Sequence, residues 1–161
     1  MKHVVYAKTK LTEVQEQDIQ PNAVDLRLGK VIRIDNEAPF ELSESNKVHR
    51  GGTEIEPDQD GWFNLYPGQY EIVMENIIQV GEGEAGWVIT RSTLNRNGVF
   101  LTSGLYDSGY HGMMAGVLHC SGPVRIQKGT RIGQYLCFEA DTAHLYDGSY
   151  GLASEHDQKY T

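Results

Sequence analysis

Two arginines, two hydroxyl residues and one carboxylate carry the chemistry that this sequence offers. Arg91 and Arg96 flank Ser92 and Thr93 in a stretch from Ala85 to Tyr106 that holds no Asp or Glu. Guanidinium forks match phosphate oxygens, and the free N–H groups of a helix start add donors, so such a segment can bind an anion. Taken alone, it reads rather as a capped turn with two solvated arginines. Directly after it comes Ser103-Gly104-Leu105-Tyr106-Asp107-Ser108-Gly109-Tyr110-His111-Gly112, a glycine-rich hairpin. By itself Asp107 is a turn residue. Beside an anion site it is a carboxylate able to orient a water for attack on phosphorus, with a tyrosine face for a sugar. Farther on, Gly129-Thr130-Arg131-Ile132-Gly133-Gln134 is a turn entering a strand. Its Arg131 and Gln134 can reach phosphate, or serve as polar edge residues.

The elements that must position these groups are strands. Val24-Asp25-Leu26-Arg27-Leu28 alternates apolar and polar, as a half-buried strand does, and Val31 to Ile34 reads as another. From Trp62 onward the segments Trp62–Tyr66, Gln69–Met74, Ile77–Val80, Trp87–Ile89, Val99–Leu101, Met113–Cys120, Val124–Gln127 and Ile132–Phe138 follow one another. Short strands at close spacing, punctuated by glycine turns, predict an all-β sandwich or barrel. Ser92 to Asn97 is the best short helix after the first twenty residues, capped by Ser92 or Thr93 and ended by Gly98. Residues 1–20 read as an arm or short polar helix, 35–60 as a long acidic surface excursion, and 141–161 as a mobile tail. No repeat or linker divides the chain, so residues 1–161 are expected to form one domain.

Bulk properties narrow the function. A formal charge of -8 suits neither a nucleic-acid backbone nor an anionic membrane, which call for clustered Lys and Arg. No run approaches the length of a membrane span, and the first residues, MKHVVYAKTKLTEVQEQ, hold no apolar h-region. A cytoplasmic protein is expected. Cys120 and Cys137 lie in apolar runs and read as buried thiols. There is no Walker loop, no HExxH, no GxSxG and no HxE with a following PCxxC; the six histidines lack metal-ligand spacing.

Together, the segments resemble the dUTP diphosphatase and dCTP deaminase superfamily. Asn22-Ala23-Val24-Asp25-Leu26-Arg27-Leu28-Gly29 is similar to its first motif, and Arg91-Ser92-Thr93-Leu94-Asn95-Arg96 to its RSSL segment. Gly104 to Gly112 matches G-x-x-D-x-x-Y-x-G, Gly129 to Gln134 matches G-x-R-I-x-Q, and Leu65-Tyr66-Pro67-Gly68 resembles the L-x-P-G turn. The resemblance implies a distorted jelly-roll β-barrel assembled as a homotrimer, with active sites between subunits and Mg²⁺ riding on the triphosphate of a small deoxynucleotide. Carried over by position, it implies that Asp107 holds the attacking water. Arg91, Ser92, Thr93 and Gln134 would then bind phosphate, with Gly104 in the substrate hairpin. Tyr110 would pack under the deoxyribose, Arg96 matches an arginine of the deaminase branch, and Asp25 would help place the magnesium shell through water or support the site. Tyr146-Asp147-Gly148-Ser149-Tyr150 resembles the tail of deaminase-like members, which puts Tyr150 near the nucleotide.

The two branches differ at the base. Deamination at C4 needs a proton shuttle, and the family uses a glutamate on the strand after the hairpin. The aligned position here is Val117, and Met114, Ala115, Gly116 and Leu118 offer no carboxylate either. The sequence therefore favours hydrolysis of dUTP, or of a related pyrimidine deoxynucleoside triphosphate, to the monophosphate and pyrophosphate. The alternatives are a dCTP deaminase with or without dUTPase activity, a nucleotide-sensing or interaction protein on the same scaffold without turnover, and a structural jelly-roll such as a coat or decoration domain.

Overall fold

The computed structural model describes all 161 residues. In chain order the strands are β1 (Lys10–Leu11), β2 (Val24–Ile34), β3 (Glu41–Leu42), β4 (Lys47–Val48), β5 (Gly52–Ile55), β6 (Trp62–Leu65), β7 (Gly68–Gln79) and β8 (Glu84–Thr90). After the single helical turn α1 (Ser92–Asn95) come β9 (Val99–Thr102), β10 (His111–Cys120), β11 (Val124–Gln127) and β12 (Arg131–Glu139). The main sheet runs β8-β12-β2-β7-β10-β9, with β1 added to β7 and β5 to β2, while β6 pairs with β11. Every pairing is antiparallel. This is the all-β barrel expected from the strand spacing.

Side chains close the barrel where the ladder stops. Between β8 and β9 the Thr90 hydroxyl accepts from Leu101 N at 2.8 Å and donates to Leu101 O at 3.0 Å, and Val88 N donates to Ser103 Oγ at 3.0 Å. Gly86 and Tyr106 then exchange two backbone hydrogen bonds, of 3.0 and 2.7 Å. Inside lies one apolar core, in which Leu26, Leu28, Ile72, Ile78, Met114, Leu118 and Ile132 have no exposed surface. Alternation sends every second side chain of β6, β9 and much of β10 and β12 there, while β2 is buried along most of its length.

Two pairs of expected strands are each one long strand. Val24–Leu28 and Val31–Ile34 fuse into β2 across a bulge at Gly29, and Gln69–Met74 and Ile77–Val80 fuse into β7. Polar residues interrupt both patterns, which is why they read as breaks. A side chain at Gly29 would meet Val73 O at 3.0 Å, so glycine lets β7 come close. Across the irregularity the buried Asn76 repairs the backbone: its Oδ1 accepts from Arg27 N at 3.2 Å and its Nδ2 donates to Thr12 O at 2.8 Å.

The first twenty residues form two 3₁₀ turns, Val4–Tyr6 and Glu16–Asp18, with β1 between them, rather than a helix. Buried carboxylates fasten this arm. Asp18 accepts from Arg27 Nη2 at 2.6 Å and Nε at 3.0 Å. Glu84 accepts from Lys8 N, Thr9 N and Thr9 Oγ1, the last at 2.6 Å. Burial alone would push the Glu84 acid up, but those hydrogen bonds and Lys2 outweigh it and bring the pKa down to about 2.

The tail, expected to be mobile, lies folded against the barrel. A 3₁₀ turn at His156–Tyr160 seats the buried Tyr160 ring on Ile32 and Val73, and Gly151 N donates to the buried Asp157 at 2.8 Å. Its polar composition hid these contacts, because two scattered aromatic rings, Tyr146 and Tyr160, and one buried carboxylate make them. The 35–60 excursion carries the β3–β4 hairpin and then β5, which extends the sheet from β2.

Candidate active site

The cationic residues gather around Asp25. This carboxylate sits on β2, fully buried, at the register where β12 brings Gln134 opposite it. Gln134 Nε2 donates to Asp25 Oδ1 at 3.0 Å. Arg131 Nη1 lies 3.3 Å and Arg91 Nε 3.4 Å from Oδ2. Arg91 is further fixed by donating from Nη1 to Arg131 O at 3.2 Å, and from its backbone N to Ile132 O at 3.1 Å. Both arginine side chains remain about one-third exposed, at 30% and 31%. One buried carboxylate thus aligns three donor groups at the end of β8, with net positive charge facing out.

The helix beside this cluster differs from expectation. Arg91 itself, in extended conformation, is the N-cap residue of α1, and no side chain caps the turn. A hydroxyl cap must precede the first helical residue, whereas Ser92 and Thr93 lie inside the turn. The Ser92 and Thr93 side chains stand exposed next to the arginines, and Gly98, at φ +70°, ends the segment as expected. Arg96 is exposed beyond the turn and has no acidic partner, so the structure leaves it outside the Asp25 cluster.

The hairpin residues assemble elsewhere. Asp107 to Tyr110 is a tight turn closed by Tyr110 N donating to Asp107 O at 3.0 Å, with Gly109 at φ +84°. Buried Ser108 pins it to the turn before β8: its hydroxyl accepts from Gly83 N at 3.0 Å and donates to Glu84 O at 2.7 Å. The Asp107 side chain is left exposed. Tyr110 is buried, its hydroxyl donates to Met113 O at 2.8 Å, and its ring stands edge-on to Tyr146 at 5.3 Å. Burial, then the nearby Asp157 charge, pushes its phenol pKa up, so Tyr110 is a neutral packing surface.

Beside this hairpin opens a cavity of about 570 Å³. Gly104, Tyr106 and Tyr110 line one side, Ala115 and Val117 of β10 the floor, and the tail the other side. Tyr150 is there, 4.7 Å from the His156 ring and 6.4 Å from His49 of the excursion, centroid to centroid. Sequence reasoning missed Ser108, Glu71, His49, His156 and Asp157. Ser108 lay inside a quoted motif but was given no role of its own. The others had no local signal, because only the folded tail and excursion bring them together.

Within one chain the two groups do not meet. Tyr106 bridges Gly86 near the start of β8, while Arg91 follows its last residue, Thr90. Five residues of extended strand span roughly 17 Å. Arg91, Arg131, Gln134 and Asp25 therefore form one group, and Gly104, Asp107, Tyr110 and Tyr150 another.

A family model described as dCTP deaminase-like matches residues 2–140. The chain belongs to this dCTP deaminase-like family. Curated relatives include the probable deoxyuridine 5'-triphosphate nucleotidohydrolase of Halobacterium salinarum, 30% identical over 142 residues that cover 85% of each chain. The deoxyuridine 5'-triphosphate nucleotidohydrolase of Methanocaldococcus jannaschii is 30% identical over 89% of this chain and 94% of its own length. Among solved structures, the 2'-deoxycytidine 5'-triphosphate deaminase of Agrobacterium tumefaciens superposes with TM-score 0.62 at 18% identity, covering 81% of this chain and 43% of that one. The EIAV dUTPase gives 0.53 at 15% identity, covering 88% of this chain and 97% of its own. At these identities the superpositions establish the family fold. Against that family, Val117 stands on β10 where the deaminase branch is expected to carry its glutamate, with Gly104 and Ala115 beside it on the cavity wall.

Proposed function

We propose that this protein hydrolyses dUTP to dUMP and pyrophosphate, at sites that each combine residues of two subunits of a homotrimer. The observation that carries this reading is the Asp25-ordered cluster of Arg91, Arg131 and Gln134, a preformed triphosphate cradle in a family whose archaeal relatives of similar length are named as dUTP nucleotidohydrolases. The separation along β8 supports the shared site: a water held by Asp107 reaches phosphate only at another chain's Arg91.

In this mechanism Asp107 accepts a hydrogen bond from a water, orients it in line with the α-phosphorus and takes its proton as the new P–O bond forms. The bond from the α-phosphorus to the bridging oxygen breaks, and the charge left on pyrophosphate is met by Arg91 and Arg131, with Gln134 and the Ser92 and Thr93 hydroxyls as neutral donors. The face of Tyr110 supports the deoxyribose, Gly104 leaves room at the hairpin, and Tyr150 covers the nucleotide from the tail. Arg96, outside the cluster, adds long-range attraction to the triphosphate.

The donor set fits a magnesium ion carried by the substrate. No cluster of three or more His, Cys, Asp or Glu forms a metal cage, and the Asp25 oxygens already serve Gln134, Arg131 and Arg91. Of its two expected roles, Asp25 is better suited to support than to direct coordination, and any contact to the ion runs through water. When bound, Mg²⁺ neutralises phosphate charge. A dUTPase of Staphylococcus aureus phage phi11, at TM-score 0.50 and 12% identity, coordinates a structural Mg(II) ion. The chain has no helix long and apolar enough to cross a membrane, and the proposed setting is the cytoplasm with a small nucleotide as partner.

The test is to incubate the protein with each deoxynucleoside triphosphate and Mg²⁺, and to measure pyrophosphate and ammonia separately. Pyrophosphate from dUTP is the expected result. Binding of dUTP without pyrophosphate release would replace this reading with a nucleotide sensor.

A further inference from the structure

The strand register puts an unassigned carboxylate on the cavity floor. Glu71 of β7 is the direct cross-strand partner of Val117 on β10, so the two side chains stand on the same face of the sheet. Both line the cavity with Gly104 and Tyr106 of the hairpin. The position that lacks a glutamate on β10 therefore has one as its immediate neighbour.

The tail holds Glu71 in place. Lys159 Nζ lies 3.2 Å from the carboxylate and Tyr160 donates its hydroxyl to it. Lys159 offsets the charge, so a carboxylate is tolerated near an anionic ligand. A carboxylate offers about four acceptor sites, and two donors leave capacity for a ligand N–H. The other carboxylate of the cavity is already engaged: Asp157 accepts from Gly151 N at 2.8 Å and pairs with His156 Nδ1 at 2.9 Å.

We propose that Glu71 is a specificity-determining residue that accepts the exocyclic amine of cytosine, and that the protein cleaves dCTP to dCMP and pyrophosphate as well as dUTP. This rests on the hydrolysis proposed above. Cytosine presents an N4 amine where uracil presents the O4 acceptor, and a carboxylate is the natural partner of that amine. Against uracil the same carboxylate opposes O4 and offers its gain only at N3–H, so Glu71 narrows the preference for uracil that hairpin backbone groups can impose. Hydrolysis of either nucleotide uses the same water, the same α-phosphorus and the same leaving pyrophosphate, and the base is released unchanged.

The experiment compares kcat/KM for dUTP and dCTP in the full-length wild type, Glu71→Gln and Tyr160→Phe, with pyrophosphate, ammonia and the monophosphate product each measured. The wild type should cleave dCTP within about tenfold of dUTP, releasing dCMP and no ammonia. Glu71→Gln should raise the dUTP-to-dCTP ratio at least about tenfold, chiefly through KM, because the amide loses the charge-assisted bond to N4 and gains a donor for O4. Tyr160→Phe removes the tail's hydroxyl and keeps the carboxylate, so the ratio should stay at its wild-type value. A dUTPase that neither cleaves nor binds dCTP overturns this proposal alone, whereas absence of pyrophosphate from every nucleotide overturns the hydrolysis reading. Ammonia from dCTP, lost in Glu71→Gln, overturns recognition in favour of proton transfer. An equal ratio change in Tyr160→Phe overturns direct contact in favour of a tail effect.

Discussion

The two ends of β8 are built in opposite ways. At its C-terminal end, Arg91, Arg131 and Gln134 converge on the buried Asp25 through contacts of 3.0 to 3.4 Å, all within one chain, with Arg131 and Gln134 on the β2–β12 ladder and Arg91 bonded to β12 beside it. At its N-terminal end, the Asp107 carboxylate projects from a turn into solvent, and the cavity beside it is walled by the tail and by the 35–60 excursion. The end proposed to bind phosphate is thus ordered within the chain itself, with Asp25 offsetting the repulsion between Arg91 and Arg131. The end proposed to bind the base is assembled from the hairpin, the tail and the 35–60 excursion. Chemistry common to a family belongs on the first kind of structure, and substrate choice on the second.

The sharpest way to break this contrast is to separate the ends onto different chains. Asp107→Asn should lower kcat about 10³-fold while leaving affinity for a non-hydrolysable triphosphate nearly unchanged. Arg91→Ala should be similarly inactive, through lost phosphate binding. If sites form between subunits, co-assembling the two inactive proteins restores about a quarter of the sites, since each wild-type end is then drawn from a different parent at random. Steady-state pyrophosphate release on the mixture measures this. Activity no higher than the separate variants would show that both ends act within one chain.

A smaller effect is expected from the organiser itself. Asp25→Ala leaves Arg91, Arg131 and Gln134 without their common acceptor. The loss should be on the order of 10²-fold in kcat/KM, mostly in KM, with about 1–3 kcal/mol of stability. Kinetics and denaturant unfolding on the same preparation separate the two. A loss confined to stability would make Asp25 a core residue and nothing more.

How much of this was legible beforehand follows the same division. Gln134 and Arg131 were visible because a turn feeding a strand puts polar residues at fixed places, whereas Asp25 was singled out only by the resemblance of its segment to the family's first motif, since alternation alone would have put this buried carboxylate on the solvent face. What alternation cannot say is which strand lies opposite, so the convergence of Asp25 with Gln134 had no signature in the composition of either segment. Glu71 shows the limit most clearly. An acidic residue between Tyr70 and Ile72 in an alternating strand reads as solvent-facing, and only the register with Val117 and the return of Tyr160 make it a cavity residue. The tail's contacts escaped for a related reason: Tyr160 and Asp157 make them through partners more than eighty residues distant or through a local turn that polarity does not announce. The fused strands β2 and β7 were read as four because a bulge preserves the ladder while breaking the alternation.

Glu84, the first residue of β8, offers a test of how the arm is fastened that touches neither the Asp25 cluster nor the Asp107 carboxylate. Glu84 is ordinarily an acid of pKa 4.5 and is held down at about 2 in the folded chain. Its contribution to stability is therefore fully present above 4.5 and is lost as pH falls through 2. Glu84→Gln should cost on the order of 3 kcal/mol at neutral pH, and should flatten the dependence of unfolding free energy on pH within that window. Urea titrations at neutral and acid pH measure both.

The flexible end should answer to a milder acidity. His49 of the excursion packs against His156 of the tail at 4.7 Å between ring centroids. Desolvation first, then the charges of His156, Lys159 and Lys47, lower the His49 pKa below 6.5, with Glu71 opposing them. A depressed histidine resists protonation in the docked state, so its share of tail docking is complete above 6.5 and weakens as pH falls below that value. Amide exchange across residues 146–161 should accordingly lose a few-fold of protection between mildly basic and mildly acidic buffer, once intrinsic exchange is corrected, while strands β2 and β12 keep theirs. His49→Gln should remove most of the pH dependence without undocking the tail, because Tyr160 and the Asp157–Gly151 contact remain. Equal loosening of the tail and the barrel would mean that the two ends of β8 are not independent, and the contrast between a preformed phosphate cradle and an adaptable base pocket would fail with it.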